Sequence, residues 1–393
     1  MRRDCMLEKS RPSNGDSLKF LVLVITAFLV TACSSDGAGP GAAVVILDPP
    51  VQLDDGWQVS TLEAQGMNPV VIGELVREIE QGEFDLIHAL LIVRHGHLVY
   101  EGYYAPGHDR NTHHLLASVT KSITSVLMGI AVGGGFVEDV EASAADFFPE
   151  YSEIFQADPA KRSPTVRHHL TMTSGMEWID GLGFEGNNDS HGLWHSPDPI
   201  RYVLAKRIIR EPGSQFEYND GSTMLLAGII DNTTGLNADE FAGVHLFGPL
   251  GISDYNWRTV GSGVTDVDGG LRMRGRDLAK IGQLILQNGT WDGTQIIPEA
   301  WVTESTADWV DTGGGYHYGY QWWLDRLNAA PGIEPEWNDI VIGSGYGGQK
   351  LYVVPKLDLV VVFFGCEVEG CPPETDFVPR YSLTEFIIAA IDD

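Results

Sequence analysis

The chain has 393 residues, enough for one large domain or two ordinary ones. A hydrophobic fraction of 43% and ten tryptophans supply a core, which excludes global disorder. With 25 basic against 54 acidic side chains, the formal charge of -29 excludes electrostatic attraction to nucleic acid or to an anionic bilayer.

The first 32 residues read as an export signal. Arg2, Arg3, Lys9, Arg11 and Lys19 precede the apolar run Phe20–Ala32, which is too short to span a bilayer. The run ends Val30-Thr31-Ala32-Cys33, and Ser34-Ser35 follow. This pattern resembles the lipobox of bacterial lipoproteins, in which the cysteine is lipidated and becomes the first residue. The expectation is therefore a signal peptide at 1–32, a lipid on Cys33, and a Gly/Ala/Ser-rich tether at 33–45. Such a protein is exported and lipid-anchored in a bacterial envelope, facing the periplasm from the outer membrane. Export leaves Cys366 and Cys371, five apart in GCEVEGC, as candidates for a small-loop disulfide in an oxidising compartment. No histidine or second cysteine pair lies near them in sequence to favour a metal site.

The spacing of Val71, Ile72, Leu75, Val76 and Ile79 predicts a helix at about 68–81. Two strand-like runs in LLIVRHGHLVYEGYY flank His95-Gly96 and predict a hairpin. The stretch Leu116–Gly135 follows. It opens Ser118-Val119-Thr120-Lys121, repeats Ile123, Val126, Leu127 and Ile130 at helical spacing, and stops at three glycines. Residues three apart share a helix face, so the Ser118 hydroxyl and Lys121 amine are expected side by side where the helix opens. Lys121 alone among the lysines has a serine three positions before it.

Residues 136–265 change character, with short helical runs at 164–172, 198–210 and 221–234. Between them lies a long polar loop, Glu177–Pro199, carrying Trp178, Asp180 and Trp194, which we place at the rim of a pocket. After about 266, GLRMRGRDLAKIGQLILQNG reads as one helix burying Leu278, Ile281, Leu284 and Ile285, with Gly289 past its end. YGYQWWLD, Asp339–Gly343, Gly348–Val354 and Leu359–Phe364 read as strands, and Leu383–Ile391 as a closing helix. The fold class expected is α+β. An antiparallel sheet domain is assembled from 46–135 and 266–393, with a helical domain at 136–265 inserted between them.

Two further motifs carry chemistry. Tyr218-Asn219-Asp220 stands just before an apolar helix that would aim the tyrosine into a pocket, although a half-buried tyrosine with a satisfied hydroxyl fits the same residues. Gly343-Ser344-Gly345-Tyr346-Gly347-Gly348 leads into a strand; its glycines suit close backbone approach to a ligand, or simply a tight turn. The adjacent pairs His113-His114 and His168-His169 point to different sides of their elements and read as structural.

In this order the three motifs resemble the serine β-lactamase and penicillin-binding superfamily, whose signature is S-x-x-K, a middle motif and a K-T-G-type strand. Tyr218-Asn219-Asp220 is similar to the Y-x-N of class C β-lactamases and related esterases. LTMTSGM, EPGSQFEYND, GGLRMRGRDLAKIG and GYGGQKLYVVPKLDLVVV resemble stretches of class C-like hydrolases, among them esterases, D-aminopeptidases and 6-aminohexanoate-dimer hydrolases. The likeness covers roughly 65–390.

The resemblance implies a β-lactamase/transpeptidase-like fold and an acyl-enzyme on Ser118, with Lys121 and Tyr218 sharing the proton traffic. By position in the motifs, the N–H groups of Ser118 and Tyr346 would form the oxyanion hole. Asp220, Gly343, Ser344, Gly345, Trp178 and Trp194 are the expected supporting or substrate-binding residues. Two departures matter. Gly343 stands where the family has a lysine or histidine that helps recognise a substrate carboxylate, which points away from efficient β-lactam hydrolysis and towards another small ester or amide. Asp220 stands where Asn or Ser is usual; beside Lys121 it would hold the lysine as an ammonium and leave Tyr218 as the base. The rival classes are a penicillin-binding-like sensor that acylates with little turnover, and a hydrolase-like scaffold whose acidic surface binds a protein. No organic cofactor and no metal is called for, membrane contact is expected only through Cys33, and the oligomeric state is left open.

Overall fold

The computed structural model of the chain describes residues 47–84, 86–179, 181, 188–327, 335–367, 371–372 and 374–392. The signal peptide, Cys33 and the tether lie outside these residues, as do Asp180 and residues 182–187 of the polar loop.

Local sequence accounts for the first elements. After β1 (Gln58–Val59), α1 (Pro69–Glu80) starts where Asn68 accepts from the Val70 N–H and Pro69 occupies the first turn. Its buried stripe includes Ile72, Leu75, Val76 and Ile79, as their spacing requires. β2 (Ala89–Arg94) and β3 (His97–Tyr103) form the expected hairpin. His95 (φ 50°) and Gly96 (φ 73°) are both left-handed, the combination a two-residue hairpin turn demands. β4 (His114–Leu115) then leads into α2 (Val119–Gly133), the buried helix of the Ser118 stretch.

The middle of the chain supplies α3 (Asp189–His195), which occupies part of the segment read as loop, and α4 (Asp220–Thr234). After β5 (Asn256–Trp257), the run read as one long helix divides: Leu271–Met273 is β6, and only Gly275–Leu286 is helical, as α5. β6 joins β4 on one side and β5 on the other, so backbone pairing overrides helical continuity at Arg274. β7 (Val310–Asp311), β8 (His317–Tyr318) and β9 (Trp323–Asp325) follow. YGYQWWLD is thus two strands, not one. Gln321 turns the chain at φ 64°, and its buried side chain donates to the His169 and Leu170 carbonyls and accepts from Thr223. β10 (Ile340–Gly345), β11 (Gln349–Val354) and β12 (Leu359–Phe364) match the sequence reading closely. The closing helix begins earlier than expected, running from Glu374 to Ser382 and continuing in wider turns to Ile388.

Nine strands from both ends of the chain share one sheet, ordered β1-β3-β2-β12-β11-β10-β9-β8-β7. Every pairing is antiparallel except the parallel edge pair β1–β3. This is the α+β arrangement expected. The central strands are buried on both faces, which is why they read as unbroken apolar runs. Leu91, Val93, Val360 and Val362 face a core shared with α2, α4 and α5, while Leu90, Ile92, Leu359 and Val361 face one shared with α1 and the closing helix. Among the described residues no helix is long and apolar enough to cross a membrane.

Candidate active site

Ser118 is the N-cap residue of α2, but its side chain makes no capping hydrogen bond. The hydroxyl accepts from Lys121 Nζ at 3.1 Å, one helical turn on. Ala117 immediately before it is held at φ 47°, a left-handed conformation that an L-residue adopts at a cost of about 1–3 kcal/mol. β10 passes flush against this turn: a Cβ on Gly345 would collide with the Leu116 carbonyl oxygen. A side chain at Gly343 would start 3.1 Å from Val119 Cγ1, so this face of the strand is pressed onto the helix that carries Ser118.

The Lys121 ammonium is buried and surrounded by oxygen. Besides Ser118 it donates to the Asp268 carbonyl at 2.7 Å and pairs with Asp220 Oδ1 at 2.7 Å. Burial alone would lower its pKa, but Asp220, Tyr218 and Asp268 outweigh burial and hold the pKa well above the ordinary lysine value. Tyr218 lies beside this pair, its ring centre 5.1 Å from Lys121 Nζ and its hydroxyl hydrogen-bonded to Ser118 and Lys121. Burial raises the phenol's pKa; Lys121 acts in the opposite sense and Asp220 adds to the rise.

Local sequence explains how Tyr218 and Asp220 arrive there. Asn219 caps α4 by accepting from the Ser222 N–H at 2.7 Å, and its amide donates to the Glu217 carbonyl. The asparagine is thereby committed to the helix end, while its two neighbours face Ser118 and Lys121. Asp220 also accepts from Ser190 at 2.5 Å, so both its oxygens are engaged.

A cavity of about 470 Å³ opens onto Ser118, and Tyr218, Asp220, Trp194, Tyr346, Arg258 and Glu367 are among its lining residues. Trp194, on α3, donates to Asp268 Oδ2 at 3.0 Å, with the Arg258 guanidinium 5.2 Å from its ring centre. Tyr346 stands in the turn between β10 and β11. That turn is held against the next strand's end: a Cβ on Gly347 would strike the Cys366 carbonyl oxygen, which accepts from Gln349 at 2.9 Å. Cys366 and Cys371 are joined by a disulfide there.

Four of the expected residues do not line the cavity: Gly343 and Gly345 are pressed onto the α2 turn, and Trp178 and Ser344 are elsewhere. Trp178 is buried in the core against Gly221 of α4 and does not line the cavity. Ser344 alternates away from Gly343 and Gly345 to the opposite face of β10, where it accepts from Lys350 at 2.6 Å and lines a separate cavity. The sequence reading missed Asp268 altogether. Its side chain is buried, and burial together with Asp266 and Asp220 lifts its pKa well above the carboxylate range against the pull of Lys121 and Trp194. Two aspartates before Gly269-Gly270 were the available sign.

The histidine pairs divide. His168 sits in a capping box with Thr165, and His169 contacts Ser222 Oγ at 3.1 Å, so these two are structural. His113 pairs with Asp254 at 3.1 Å. His114 instead converges with His88 and His108, beside the cavity residue Glu367. His114 is 26 positions on from His88 and lies in a different sheet from the strand that His88 leads into, so only the tertiary fold brings them together.

Residues 88–365 match the family model described as Beta-lactamase. The 6-aminohexanoate-dimer hydrolase of Paenarthrobacter ureafaciens is 25% identical over 342 residues, spanning 82% of this chain and 81% of that protein. Among solved structures, a Bacillus anthracis protein assigned as a 6-aminohexanoate-dimer hydrolase aligns with a TM-score of 0.64 at 23% identity, covering 88% and 87% of the two chains. EstCE1, a hydrolase with promiscuous acyltransferase activity, aligns with a TM-score of 0.63 at 15% identity, covering 82% of this chain and 99% of its own. These structural likenesses speak for the fold.

Proposed function

This chain belongs to the beta-lactamase family as a serine hydrolase, and we propose that it is a class C-like member cleaving a small ester or amide through an acyl-enzyme on Ser118. The observation that carries this reading is the shared contact of Lys121 and Tyr218 with the Ser118 hydroxyl. Lys121 is an ammonium donating to that oxygen, so it has no lone pair with which to take a proton. Tyr218 is therefore the base. As Ser118 Oγ attacks the substrate carbonyl, its proton passes to the Tyr218 oxygen, and Lys121 offsets the phenolate charge. Collapse of the tetrahedral intermediate breaks the bond to the leaving alcohol or amine, which takes the proton from Tyr218. Water then repeats the sequence at the acyl group, with Tyr218 again accepting a proton and Ser118 regaining one. The Ser118 and Tyr346 N–H groups serve as the oxyanion hole; the loss of one such donor typically costs about 2.7–4 kcal/mol of barrier.

Gly343 offers no cation for a substrate carboxylate, and Asp220 and Glu367 place acid on the cavity wall. Arg258 lines the same cavity, so the wall carries both signs, and the missing cation at Gly343 is what turns the reading from a β-lactam towards an uncharged acyl compound. The test is a fluorophosphonate probe together with short-chain p-nitrophenyl esters, D-amino-acid amides, linear oligoamides and nitrocefin. We expect labelling and ester or amide turnover, both abolished by Ser118→Ala. Labelling without turnover would identify a penicillin-binding-like sensor instead. Labelling that survives Ser118→Ala would end the serine-hydrolase assignment for this site.

For location, we propose that Cys33 carries a lipid and tethers the enzyme to the periplasmic face of the outer membrane. The support is the sequence pattern at Val30–Cys33 and the linker after it.

A further inference from the structure

We propose that His88, His108 and His114 form a three-histidine binding site for a divalent transition metal of the zinc class, placed behind the wall of the catalytic cavity. One ring nitrogen of each histidine lies within 4.8 Å of those of the other two. The ring centres are 4.7, 5.4 and 6.3 Å apart. Three imidazoles bound to one tetrahedral zinc ion would have ring centres about 5 Å apart. The three rings are gathered in one cluster, His108 stacked on His114, and with nitrogens up to 4.8 Å apart they must draw in towards the about 3.3 Å that one tetrahedral zinc ion sets.

The chemistry of the nitrogens points the same way. His88 Nδ1, His108 Nδ1 and His114 Nε2 are all buried without a hydrogen-bond partner among the described residues, and His114 is wholly buried. Three such atoms in one cluster are costly unless something binds them. A cation answers all three at once. A second proton does not, because three imidazolium rings at this spacing repel one another.

Glu367 completes the arrangement. Its Oε1 lies 3.2 Å from His114 Nδ1. The carboxylate is fixed by the Leu115 N–H at 2.7 Å and by Arg272 at 3.2 Å. A carboxylate on Nδ1 sets the tautomer that presents the Nε2 lone pair, as outer partners of metal-bound histidines do.

The three ligands come from different segments: His88 precedes β2, His108 lies in the loop after β3, and His114 is in β4, four residues before Ser118. A bound ion would tie the sheet to the strand that feeds the nucleophile. It would not touch the reacting atoms.

The test uses the full mature chain, stripped with a chelator and titrated with Co²⁺ and Zn²⁺, following visible absorption and calorimetry. We expect one ion per chain, a tetrahedral Co²⁺ spectrum, and a rise in the thermal midpoint. His88→Gln and His108→Gln should each weaken binding at least ~10-fold, and Glu367→Gln about 10–100-fold. His191 and His195 stack 4.1 Å apart on α3 and are the alternative surface pair; His191→Gln with His195→Gln should leave binding unchanged. The proposal is overturned if neither ion binds, if binding follows the His191/His195 pair, or if the His88/His108 double variant, folded by circular dichroism, binds as the parent does.

Discussion

The Ser118 hydroxyl, the Lys121 ammonium and the Tyr218 phenol are common groups; what distinguishes them here is the charge that surrounds them. Asp220 acts on both partners of the nucleophile in the same direction. It holds the Lys121 pKa up, and it raises that of Tyr218. The working base is the phenolate, so activity should climb with pH into the alkaline range. Asp220→Asn removes a full charge 2.7 Å from Lys121 Nζ. Both pKa values then fall, and the rising limb of kcat/KM should move down by about one to two pH units, with the alkaline loss also arriving earlier. A pH–rate profile that stays in place would remove Asp220 from this role. Asp268→Asn is the matched control. Lys121 contacts the Asp268 main-chain carbonyl, which the substitution keeps, while the side chain is held by Trp194, so the amide should move the limb far less.

At the level of elements, the site depends on how α2, α4 and β10 are held together, and one such link carries a pH signature. His169 reaches across to Ser222 of α4 and is buried as the neutral ring, burial and then His168 bringing its pKa down to about 3. The unfolded chain binds a proton below about 6.5 and the folded chain does not, so stability is full above that pH and is lost as pH falls towards 3. The expected loss between pH 6.5 and pH 5 is about 1.5 kcal/mol. His169→Gln should flatten this dependence in denaturant melts; an unchanged slope would place the acid sensitivity in another group. The disulfide beside the cavity is a second link. It closes a loop of sequence separation 5, for which chain entropy predicts about 2 kcal/mol. Cys366→Ser with Cys371→Ser should lower stability by about that amount and loosen the Tyr346 turn, seen as a larger loss in kcat than in thermal midpoint. What the sequence made legible follows from distance along the chain. Ser118 and Lys121 are a helical turn apart, and Tyr218 to Asp220 sit at a helix start, so local spacing offered them as candidates and the family resemblance gave them their roles. Asp268 meets Lys121 from 147 residues away, and His88 leads into one sheet while His114 lies in another, so that only the tertiary fold brings them together. The two-residue strands and the turn at Gln321 have no periodicity to read, and Trp178 looked like a rim residue because composition does not say which way a side chain points.

For the molecule as a whole, the acidic surface and the proposed anchor bear on one another. A charge of -29 is repelled by an anionic membrane surface, so electrostatics cannot hold the enzyme there. Attachment would rest on the lipid alone, and one short acyl chain gives only marginal binding, whereas the several chains of a bacterial lipoprotein would hold firmly. At physiological salt that repulsion is confined to the ~8 Å Debye length. Two consequences can be measured together. The parent protein should partition into the detergent phase and stay with the membrane fraction at both low and high salt. Cys33→Ser should accumulate as unprocessed precursor or appear in the aqueous phase, with ester turnover per folded molecule unchanged, since no residue of the Ser118 site comes from that end of the chain. Release of the parent by salt would mean that a charged surface does the holding, and a Cys33→Ser variant that is processed and still enters the detergent phase would show that the lipid is not on Cys33.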